Sequence, residues 1–459
     1  MEATDGLPLP QRTWAILTIM LGLTMAVLDG AIANVALPTI ARDVQASPAD
    51  SIWVVNAYQL AVTISLLPLS SIGEIYGYRR VYRAGLALFT VASLGCALSH
   101  SLTTLTIARV VQGFGAAGIM SVNTALVRFI YPRARLGQAM GLNAMVGSAA
   151  SALGPTVAAG ILSVASWPYL FAVNVPVGVV TLAIAMRSLP QTEHAARRFD
   201  TASALLSALT FGLLITGIDG AGHGERAALV AAVLIGAVTA GAILVRRQMA
   251  ITSPLLPIDL MRIPMFGLSV ATSICAFAAQ GLAIVSLPFF FENALHRGQV
   301  ATGLLLTPWP LTVAVVAPIA GRLSDRYPAG LLGGIGLLVL AAGLLGLVLL
   351  PPDPSAFEIA WRMTLCGAGF GCFNSPNNRA MIAAAPRSRT GGASGMLSTA
   401  RLLGQTTGAA LVALAFGLAP AHGTGLALSL ATTLALVAAA VSCVRLGRRV
   451  RPARALGSD

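Results

Sequence analysis

An aspartate inside an apolar segment is the residue of this sequence best suited to chemistry. The stretch MAVLDGAIANVALP, from Met25 to Pro38, is apolar apart from Asp29 and Asn34. A charged side chain near the middle of a bilayer costs about 2.5 to 3.5 kcal/mol on insertion scales, so it usually marks a functional site. A carboxyl group in such surroundings can bind and release a proton near neutral pH. We predict that Asp29 couples proton movement to substrate binding; a structural salt bridge is the alternative.

Arg109 is the predicted partner of Asp29. If both segments cross a bilayer, the helical rise places Arg109 roughly 9 Å and Asp29 roughly 14 Å below the outer surface. Arg109, Gln112 and Asn123 also fall on one helical stripe, which should face a cavity rather than lipid. We predict an ion pair that substrate breaks, and a static pair is the alternative interpretation.

The composition places these residues in a membrane. Of the 459 residues, 56% are hydrophobic and 10% are charged, whereas an ordinary soluble domain is about 25% charged. All 29 basic residues are arginine, which excludes a P-loop with its phosphate-binding lysine. The five cysteines show no paired spacing, so we expect them to pack in the core and to bind no metal. We expect no cofactor, no nucleic-acid partner and no enzymatic activity.

Apolar runs of about 18 or more residues predict an all-α integral membrane protein with fourteen transmembrane helices. The predicted spans are 14–38, 52–72, 82–100, 104–127, 138–164, 167–187, 203–220, 227–245, 265–291, 300–321, 329–350, 357–383, 392–418 and 423–444. The predicted organisation is a six-helix bundle in 1–190, a linker with two extra helices in 191–264, a second six-helix bundle in 265–446 and a cytoplasmic basic tail in 447–459.

The distribution of arginine predicts the orientation. Loops after even-numbered spans are rich in arginine, whereas loops after odd-numbered spans contain only Arg42, Arg226 and Arg297. Because positive residues favour the cytoplasmic side, both termini should be cytoplasmic in a cell (inner) membrane.

An internal repeat indicates two related halves. SSIGEIYGYRRVY follows the second span and GRLSDRYPAG follows the tenth, and each places an acid among arginines at a cytoplasmic helix end. Repeated halves are typical of secondary transporters. We predict that these charges form gating clusters, with loop solubility as the alternative. The predicted gating residues are Glu74, Arg79, Arg80, Arg322, Asp325 and Arg326.

Polar side chains recur on single faces of the other spans. Such one-sided stripes are expected along a water-filled path, although hydrogen bonds between helices would also explain each of them. The predicted cavity-lining residues are Asn34, Asn56, Gln59, Thr63, Gln112, Asn123, Gln280, Asn374, Asn377, Asn378, Arg401 and Gln405. Gly154 and Pro155 should bend the fifth span, since proline removes one backbone hydrogen bond.

Four stretches resemble motifs of the major facilitator superfamily, and specifically of its fourteen-span drug:proton antiporters. They are LDGAIANVALPTI, SSIGEIYGYRR, ARVVQGFGAAG and GPTVAAGIL. Glu74 stands where aspartate is usual, and Ala158 and Ala159 stand where glycines are typical. The glycines of GFGAAG have dinucleotide-fingerprint spacing but lie within a lipid-length helix, so they should serve helix packing.

The resemblance implies proton-coupled efflux of lipophilic small molecules by alternating access. The expected partners are a small-molecule substrate, protons and the lipid bilayer, and we expect a monomer. A carrier dedicated to one metabolite is the alternative. A channel or a membrane enzyme is disfavoured, because the chain offers two halves around one acid and no nucleophile or metal site. A single mid-membrane acid argues for a neutral or singly charged substrate.

Overall fold

The computed structural model describes residues 6–132, 135–192, 199–222, 224–250, 258–386, 390–419 and 422–447, and this part of the chain is helical. The α-helices are α1 (Leu9–Asp43), α2 (Pro48–Ser51), α3 (Trp53–Tyr76), α4 (Tyr78–Ala97), α5 (Leu102–Ile130), α6 (Leu136–Leu162), α7 (Pro168–Ala172), α8 (Asn174–Ser188), α9 (Thr201–Gly222), α10 (Ala227–Ala250), α11 (Pro264–Phe289), α12 (Gln299–Leu306), α13 (Pro308–Leu323), α14 (Ala329–Val348), α15 (Ala356–Ala384), α16 (Thr390–Leu418) and α17 (Gly423–Val444). Short 3-10 helices cover Ile258–Arg262 and Arg445–Gly447, and a π-helical turn, Phe290–Ala294, follows α11.

Successive long helices run in opposite directions, which gives the molecule two ends. The start of α1 meets the end of α5, where the Leu7 amide donates to the Ile130 carbonyl at 3.1 Å. It also meets the end of α8, where Gln11 donates to the Ser188 carbonyl at 3.3 Å. We call this end, which also holds the end of α17, the terminal side. The opposite end, which holds the end of α1 and the start of α3, is the distal side.

Twelve helical segments of the described chain are long and apolar enough to cross a membrane. The predicted count of fourteen is not supported by this measure. The two missing spans, 82–100 and 357–383, coincide with α4 and α15. Three arginines lie in the first six residues of α4, and α15 contains three charged residues and three asparagines. These polar residues shorten the apolar run of each helix, so length and composition do not identify them as spans.

Helices α1–α8 pack mainly on one another, and so do α11–α17; we call them the N-terminal half and the C-terminal half. Helices α9 and α10 form a hairpin, and α9 packs against both α3 and α16. The hairpin therefore lies beside the junction of the two halves. The predicted basic tail, 447–459, lies outside the described residues except for Gly447.

Glycines allow three close backbone contacts. A Cβ atom on Gly85 of α4 would lie 2.8 Å from the Cα atom of Gly118 on α5, and one on Gly113 would lie 2.6 Å from a carbonyl oxygen of α3. A Cβ atom on Gly369 of α15 would lie 2.5 Å from the carbonyl oxygen of Gly336 on α14. These glycines therefore let α4 and α5, and likewise α14 and α15, pack backbone against backbone. The GFGAAG glycines serve helix packing, as the sequence predicts.

Local sequence signals set the ends of the helices that carry functional residues. The Ser101 hydroxyl accepts a bond from the Thr104 amide at 3.3 Å and caps α5, and Ser355 caps α15 in the same way. Such caps satisfy amides that have no partner within the helix. Helix α3 ends at Tyr76 and is followed by Gly77, whose φ of 98° is accessible to glycine at little cost. This turn leads directly into the arginine-rich start of α4.

The largest buried apolar cluster joins the two halves toward the distal side. One apolar cluster there combines the distal parts of α1 and α3 with α11, α14, α15 and α17. Toward the terminal side, a second cluster belongs to the N-terminal half, with Leu402 as its one member from the C-terminal half. A third cluster lies in the C-terminal half and α10. Within the described residues, the halves therefore share a large continuous core on the distal side, whereas toward the terminal side the clusters connect them through Leu402 and Leu67.

Candidate functional site

Asp29 lies in the interior of the N-terminal half and is bonded from three sides. Its carboxylate is 2% exposed. Arg109 Nη1 of α5 donates to Oδ2, while Gln112 Nε2 and Asn174 Nδ2 donate to Oδ1 at 2.9 and 2.8 Å. An ionised carboxylate only accepts hydrogen bonds, so three N–H donors suit its charged form. The predicted pairing of Arg109 with Asp29 is found in the structure.

Arg109 is held through Nε and Nη1, while its Nη2 has no hydrogen-bond partner among the described residues. It is fully buried, and its Nε donates to the Val54 carbonyl of α3 at 2.9 Å. Its guanidinium carbon lies 4.2 Å from the centre of the Tyr58 ring and 5.4 Å from that of Phe171. Cation–π contacts of this kind stabilise a desolvated arginine. With one positive and one negative group, the site is electrically neutral overall.

Neighbouring helices position this pair. Arg109 and Gln112 are one turn apart on α5 and therefore share a face. Gln112 donates to the Ser93 hydroxyl of α4 at 2.9 Å and to Asp29 of α1. The Tyr58 hydroxyl of α3 donates to the Ala26 carbonyl at 2.8 Å, which fixes α3 against α1 one turn before Asp29.

Asn174 and Ser93 are site residues that the sequence reasoning missed. Asn174 opens α8, and both side chains are at least 94% buried. Each is a polar residue in an apolar run, which is the signal that identified Asp29. The sequence does not show which of the many polar side chains face α1, so these two could not be assigned to the site.

Several predicted cavity-lining residues of the N-terminal half instead bond to helices. Asn34 and Thr63 each donate to the carbonyl one turn earlier in their own helix, at 3.0 and 2.7 Å. Asn123 donates to Asn143 of α6 at 2.6 Å. Hydrogen bonds within and between helices therefore account for much of this polarity.

Asn56 and Gln59 are different. Asn56 is fully buried, yet neither its amide nitrogen nor its oxygen has a partner among the described residues. Gln59 is partly exposed, and its Oε1 also has no partner there. Buried polar atoms are normally satisfied, so these side chains are available to water or to a ligand.

In the C-terminal half, Asn377 does not line a cavity, which corrects the prediction. It is fully buried, donates to Ser273 of α11 at 2.8 Å and accepts from Arg445 at 2.6 Å. Burial lowers the pKa of Arg445, just beyond α17, to about 10. Asn374 and Asn378, which lie near Asn377 on α15, are partly exposed and bond to each other at 3.2 Å. The face of α15 that carries Asn377 therefore packs against α11.

Arg401, Gln405 and Gln280 lie together between α16 and α11. Gln405 Nε2 lies 3.5 Å from Gln280 Oε1, and all three side chains are partly exposed. Arg401 has no hydrogen-bond or ion-pair partner within the part of the chain that the structure describes. It is therefore a charged group in an apolar helix without a protein counter-ion.

Two of the predicted gating charges, Arg79 and Asp325, bond within their own halves. Arg79 donates to the Met186 carbonyl of α8 at 2.9 Å. Asp325 pairs with Arg379 of α15 rather than with Arg322 or Arg326, which corrects the predicted cluster. The sequence neighbours of Asp325 are arginines, but the turn after α13 directs its carboxylate toward the end of α15.

The arginines at the start of α4 border a groove on the terminal side. Glu74 lies in the last turn of α3, beside this groove. The lining residues are Tyr76, Gly77, Arg79, Arg80, Arg83, Gln191 and Thr192.

An ion pair that was not predicted joins the halves on the distal side. Arg42 Nη2 at the end of α1 lies 2.7 Å from Glu292 Oε2 in the π-helical turn, and the Thr39 hydroxyl lies 3.4 Å from the same oxygen. The carboxylate side chain is 2% exposed, whereas Arg42 is 55% exposed. Nearby, the hydroxyls of Thr156 on α6 and Thr307 are 2.9 Å apart. These contacts hold α1 and α6 against the C-terminal half.

Gly154 and Pro155 lie where α6 meets the other half. Gly154 faces Ala31 of α1, and a Cβ atom on Gly303 of α12 would lie 2.8 Å from the Pro155 carbonyl oxygen. This part of α6 therefore belongs to the distal contact between the halves. Among the described residues, no group of three or more His, Cys, Asp or Glu could hold a metal ion.

Comparisons with known proteins place this geometry in a context. A family model of the Major Facilitator Superfamily matches residues 19–409. "Uncharacterized transporter YebQ" of Escherichia coli is 58% identical over 96% of this chain and 97% of its own length. "Riboflavin transporter RibZ" of Clostridioides difficile is 28% identical over 87% of both chains. "Multidrug resistance protein Stp" of Mycobacterium tuberculosis is 32% identical over 85% of this chain and 73% of its own.

A solved structure shares the fold. A bacterial homologue of the human lysosomal transporter Spinster, in an inward-facing and unoccupied conformation, aligns with a TM-score of 0.69. The alignment covers 95% of this chain and 97% of that one at 16% identity.

Proposed function

This chain belongs to the Major Facilitator Superfamily, and from that premise we propose that it exports lipophilic small molecules in exchange for protons. The observation that carries the proposal is the buried pair of Asp29 and Arg109. A titratable acid deep in a transporter bundle is a candidate proton site. The similarity to a protein named for multidrug resistance supports export of lipophilic compounds.

The proposed cycle is alternating access of one cavity between the two halves. By the positive-inside bias, the terminal side is cytoplasmic, so the state described here faces inward. Helices α4 and α15 also cross the membrane in this proposal, which makes fourteen spans. Their glycine-mediated packing along α5 and α14 supports this reading. One chain contains both halves of the cavity, so the unit of transport is a monomer.

Coupling depends on competition between a proton and Arg109 for the carboxylate of Asp29. A proton on the carboxyl removes its charge and weakens the bond from Arg109, whereas Arg109 keeps its bonds to Val54 and Gln112. The bundle then loses the charge pair that fastens α1 to α5. Release of the proton to the cytoplasm restores the pair, so the pair is intact when cargo binds from the cytoplasm and broken while the proton is carried inward.

Everted vesicles test the proposal. With an imposed pH gradient, addition of lipophilic dyes should dissipate the gradient in vesicles that contain the wild-type chain. Asp29→Asn keeps the size of the side chain but cannot ionise, so it should abolish dye-dependent proton movement. Asp353→Asn, a change at an exposed acid outside the site, is the matched control. Full activity of Asp29→Asn, with membrane insertion equal to wild type, would reject the role of Asp29.

A carrier dedicated to one metabolite is the second candidate. The similarity to a protein named as a riboflavin transporter over 87% of both chains favours it. Riboflavin and a panel of unrelated dyes, tested in the same vesicles, separate the two. A response to riboflavin alone favours the dedicated carrier, and a response to the panel favours broad export.

A further inference from the structure

The position of Arg401 on α16 can be read from the neighbours of that helix. Leu414 and Gly417 meet Gly222 of α9, and at 3.6 residues per turn they lie about 220° and 160° around the axis from Arg401. Arg401 therefore points away from α9 and from the lipid beyond the hairpin.

The flanks of Arg401 are occupied by one helix from each half. Gly404 and Gly408 pack on α11, at about 300° and 340° from Arg401. Gly395 packs on Leu67 of α3, at about 120°. Arg401 and Gln405 hence face the space between α11 and α3, where the two halves meet.

Arg401 also lies within the apolar part of the helix. The membrane-spanning part of α16 is Gly395–Leu418, so Arg401 lies about 9 Å inside it by the helical rise. A charge at that depth normally pairs with another group or lines a water-filled cavity. Partial exposure of Arg401, opposite α9, indicates the cavity.

No acid of the C-terminal half is left to neutralise Arg401. That half contains four acidic residues, and each is engaged at a helix end on another partner. They are Glu292 with Arg42, Asp325 with Arg379, Asp353 with Arg297, and Glu358 in the cap of Ser355. In the N-terminal half, Asp29 is already held by three donors. Neither the acids of the C-terminal half nor Asp29 pairs with Arg401 in the part of the chain that the structure describes, so the charge of Arg401 has no counter-ion there.

Apolar rings lie next to this charge. A Cβ atom on Gly404 would lie 2.8 Å from Cβ of Phe277, whose ring meets Phe370 edge-on at 5.2 Å. Gln405 lies one turn from Arg401 on α16, and its amide is 3.5 Å from that of Gln280 on α11. The neighbourhood combines one cation, neutral hydrogen-bonding groups and aromatic surface.

We propose that Arg401 binds the negative group of the cargo, so that this transporter carries lipophilic organic anions such as aromatic carboxylates and sulfonates. The proposal rests on the proposed export function and specifies its substrate class. Guanidinium groups bind carboxylate and sulfonate oxygens with two parallel hydrogen bonds. Cargo then supplies the counter-ion that the protein lacks.

Charge balance gives the exchange a distinct signature. If one proton enters for each monovalent anion that leaves, two positive charges move inward per cycle. Exchange of one proton for one monovalent cation would move none. Transport of an anion is therefore electrogenic, and an inside-negative membrane potential should accelerate export.

Binding of two matched dyes to the purified chain in lipid nanodiscs tests the substrate class. 8-Anilinonaphthalene-1-sulfonate and N-phenyl-1-naphthylamine share one ring system, but only the first carries a charge. With empty nanodiscs subtracted, the wild type should bind the sulfonate more tightly. Arg401→Gln should weaken sulfonate binding roughly tenfold or more and leave the neutral dye within about twofold, which also shows that the variant is folded.

Two further variants complete the test. Arg401→Lys keeps the charge and should retain part of the preference, while Arg246→Gln, at an exposed position on α10, should retain all of it. Equal binding of both dyes by the wild type, or an unchanged preference in Arg401→Gln, would overturn the proposal.

Transport assays separate this inference from the proposed function. In everted vesicles, sulfonate uptake should increase when a potassium–valinomycin gradient makes the lumen positive, as it does not for an electroneutral exchange. Arg401-dependent binding without any proton movement would leave the anion site standing and reject proton-coupled export. Active export with no dependence on dye charge would retain export and reject the anion site.

Discussion

At the scale of single residues, Asp29 shows how a buried charge is accommodated. Its two oxygens accept three N–H groups from α5 and α8, and its partner Arg109 has further bonds to α3 and α5. A buried ion pair contributes little net stability, but removing one member leaves an uncompensated charge that is costly. The pair is thus suited to a switch, because a single proton changes its charge balance.

Asn174 is one of the three donors that hold the Asp29 carboxylate. Asn174→Ala removes one of the bonds that keep this carboxylate beside Arg109, so dye-dependent proton movement in everted vesicles should become slower. The measurement is the rate at which the pH gradient dissipates after dye is added. Thr181→Ala, on the same helix, removes a hydroxyl that bonds to its own helix backbone and should leave the rate unchanged. A wild-type rate in Asn174→Ala would contradict the assigned role of Asn174.

At the scale of helices, close packing depends on the absence of side chains. A Cβ on Gly85 would meet the Gly118 backbone, which cannot move aside as a flexible side chain can. The α4–α5 pair supplies Ser93, Arg109 and Gln112 to the site, so its spacing sets the geometry around Asp29.

Gly85→Ala should therefore destabilise the protein by about 1 to 3 kcal/mol through overpacking. Gly212→Ala on α9 has open space around the new methyl group and should be neutral or stabilising by about 0.5 to 1 kcal/mol. Thermal unfolding in the same detergent compares the two variants. Equal melting temperatures would show that α4 and α5 do not depend on this contact.

An ion pair between Asp200 and Arg247, at 3.0 Å, stabilises the terminal-side end of the hairpin of α9 and α10. Burial acts to raise the pKa of Asp200, but hydrogen bonds from Ser203 and Arg247 outweigh it and hold this pKa below its usual range. A lowered pKa means that the stabilisation is present at neutral pH and is lost as the pH falls through the folded-state value.

Asp200→Asn should loosen the start of α9 at pH 7 and have little effect only below the folded-state pKa of Asp200, which itself lies below the ordinary aspartate value of about 3.9. Hydrogen exchange of the first turns of α9, measured at neutral pH and in strong acid, checks this. Arg226→Gln, in the turn at the other end of the hairpin, is the matched control. Equal protection of wild type and Asp200→Asn at pH 7 would show that this ion pair does not stabilise the start of α9.

At the scale of the whole molecule, the two halves meet on the distal side through the Arg42–Glu292 ion pair and the Thr156–Thr307 contact. The terminal side holds its charged groups within each half, as Asp325 with Arg379 illustrates. In the proposed alternating-access cycle, an outward movement must break the distal contacts first, so these contacts would set the balance between the two states.

Glu292→Gln keeps the shape of the side chain but removes its charge, and should weaken distal closure by about 1 kcal/mol, a roughly fivefold shift in population. Disulfide formation between cysteines placed at Thr156 and Thr307, in a background without the native cysteines, reports distal closure. Its yield should fall when Glu292→Gln is added. Asp353→Asn, which affects an exposed pair within one half, is the control and should leave the yield unchanged.

The sequence by itself determined the membrane setting, the helices and the depth at which Asp29 and Arg109 could meet. These follow from hydropathy and from the constant rise of a helix, which are local properties of the chain. The predicted number of spans, fourteen, is larger than the twelve that helix length and composition support. The difference arises because arginines in α4, and arginines and asparagines in α15, interrupt the apolar runs of these two helices.

Only the tertiary structure decided the partners. Asn174 on Asp29, Glu292 on Arg42, Arg379 on Asp325 and Arg445 on Asn377 join residues 54 to 250 positions apart. The same fold also left Arg401 without an acid. Partner choice depends on how each helix is rotated about its axis and on which helix lies beside it, and both are set by the packing of the whole bundle.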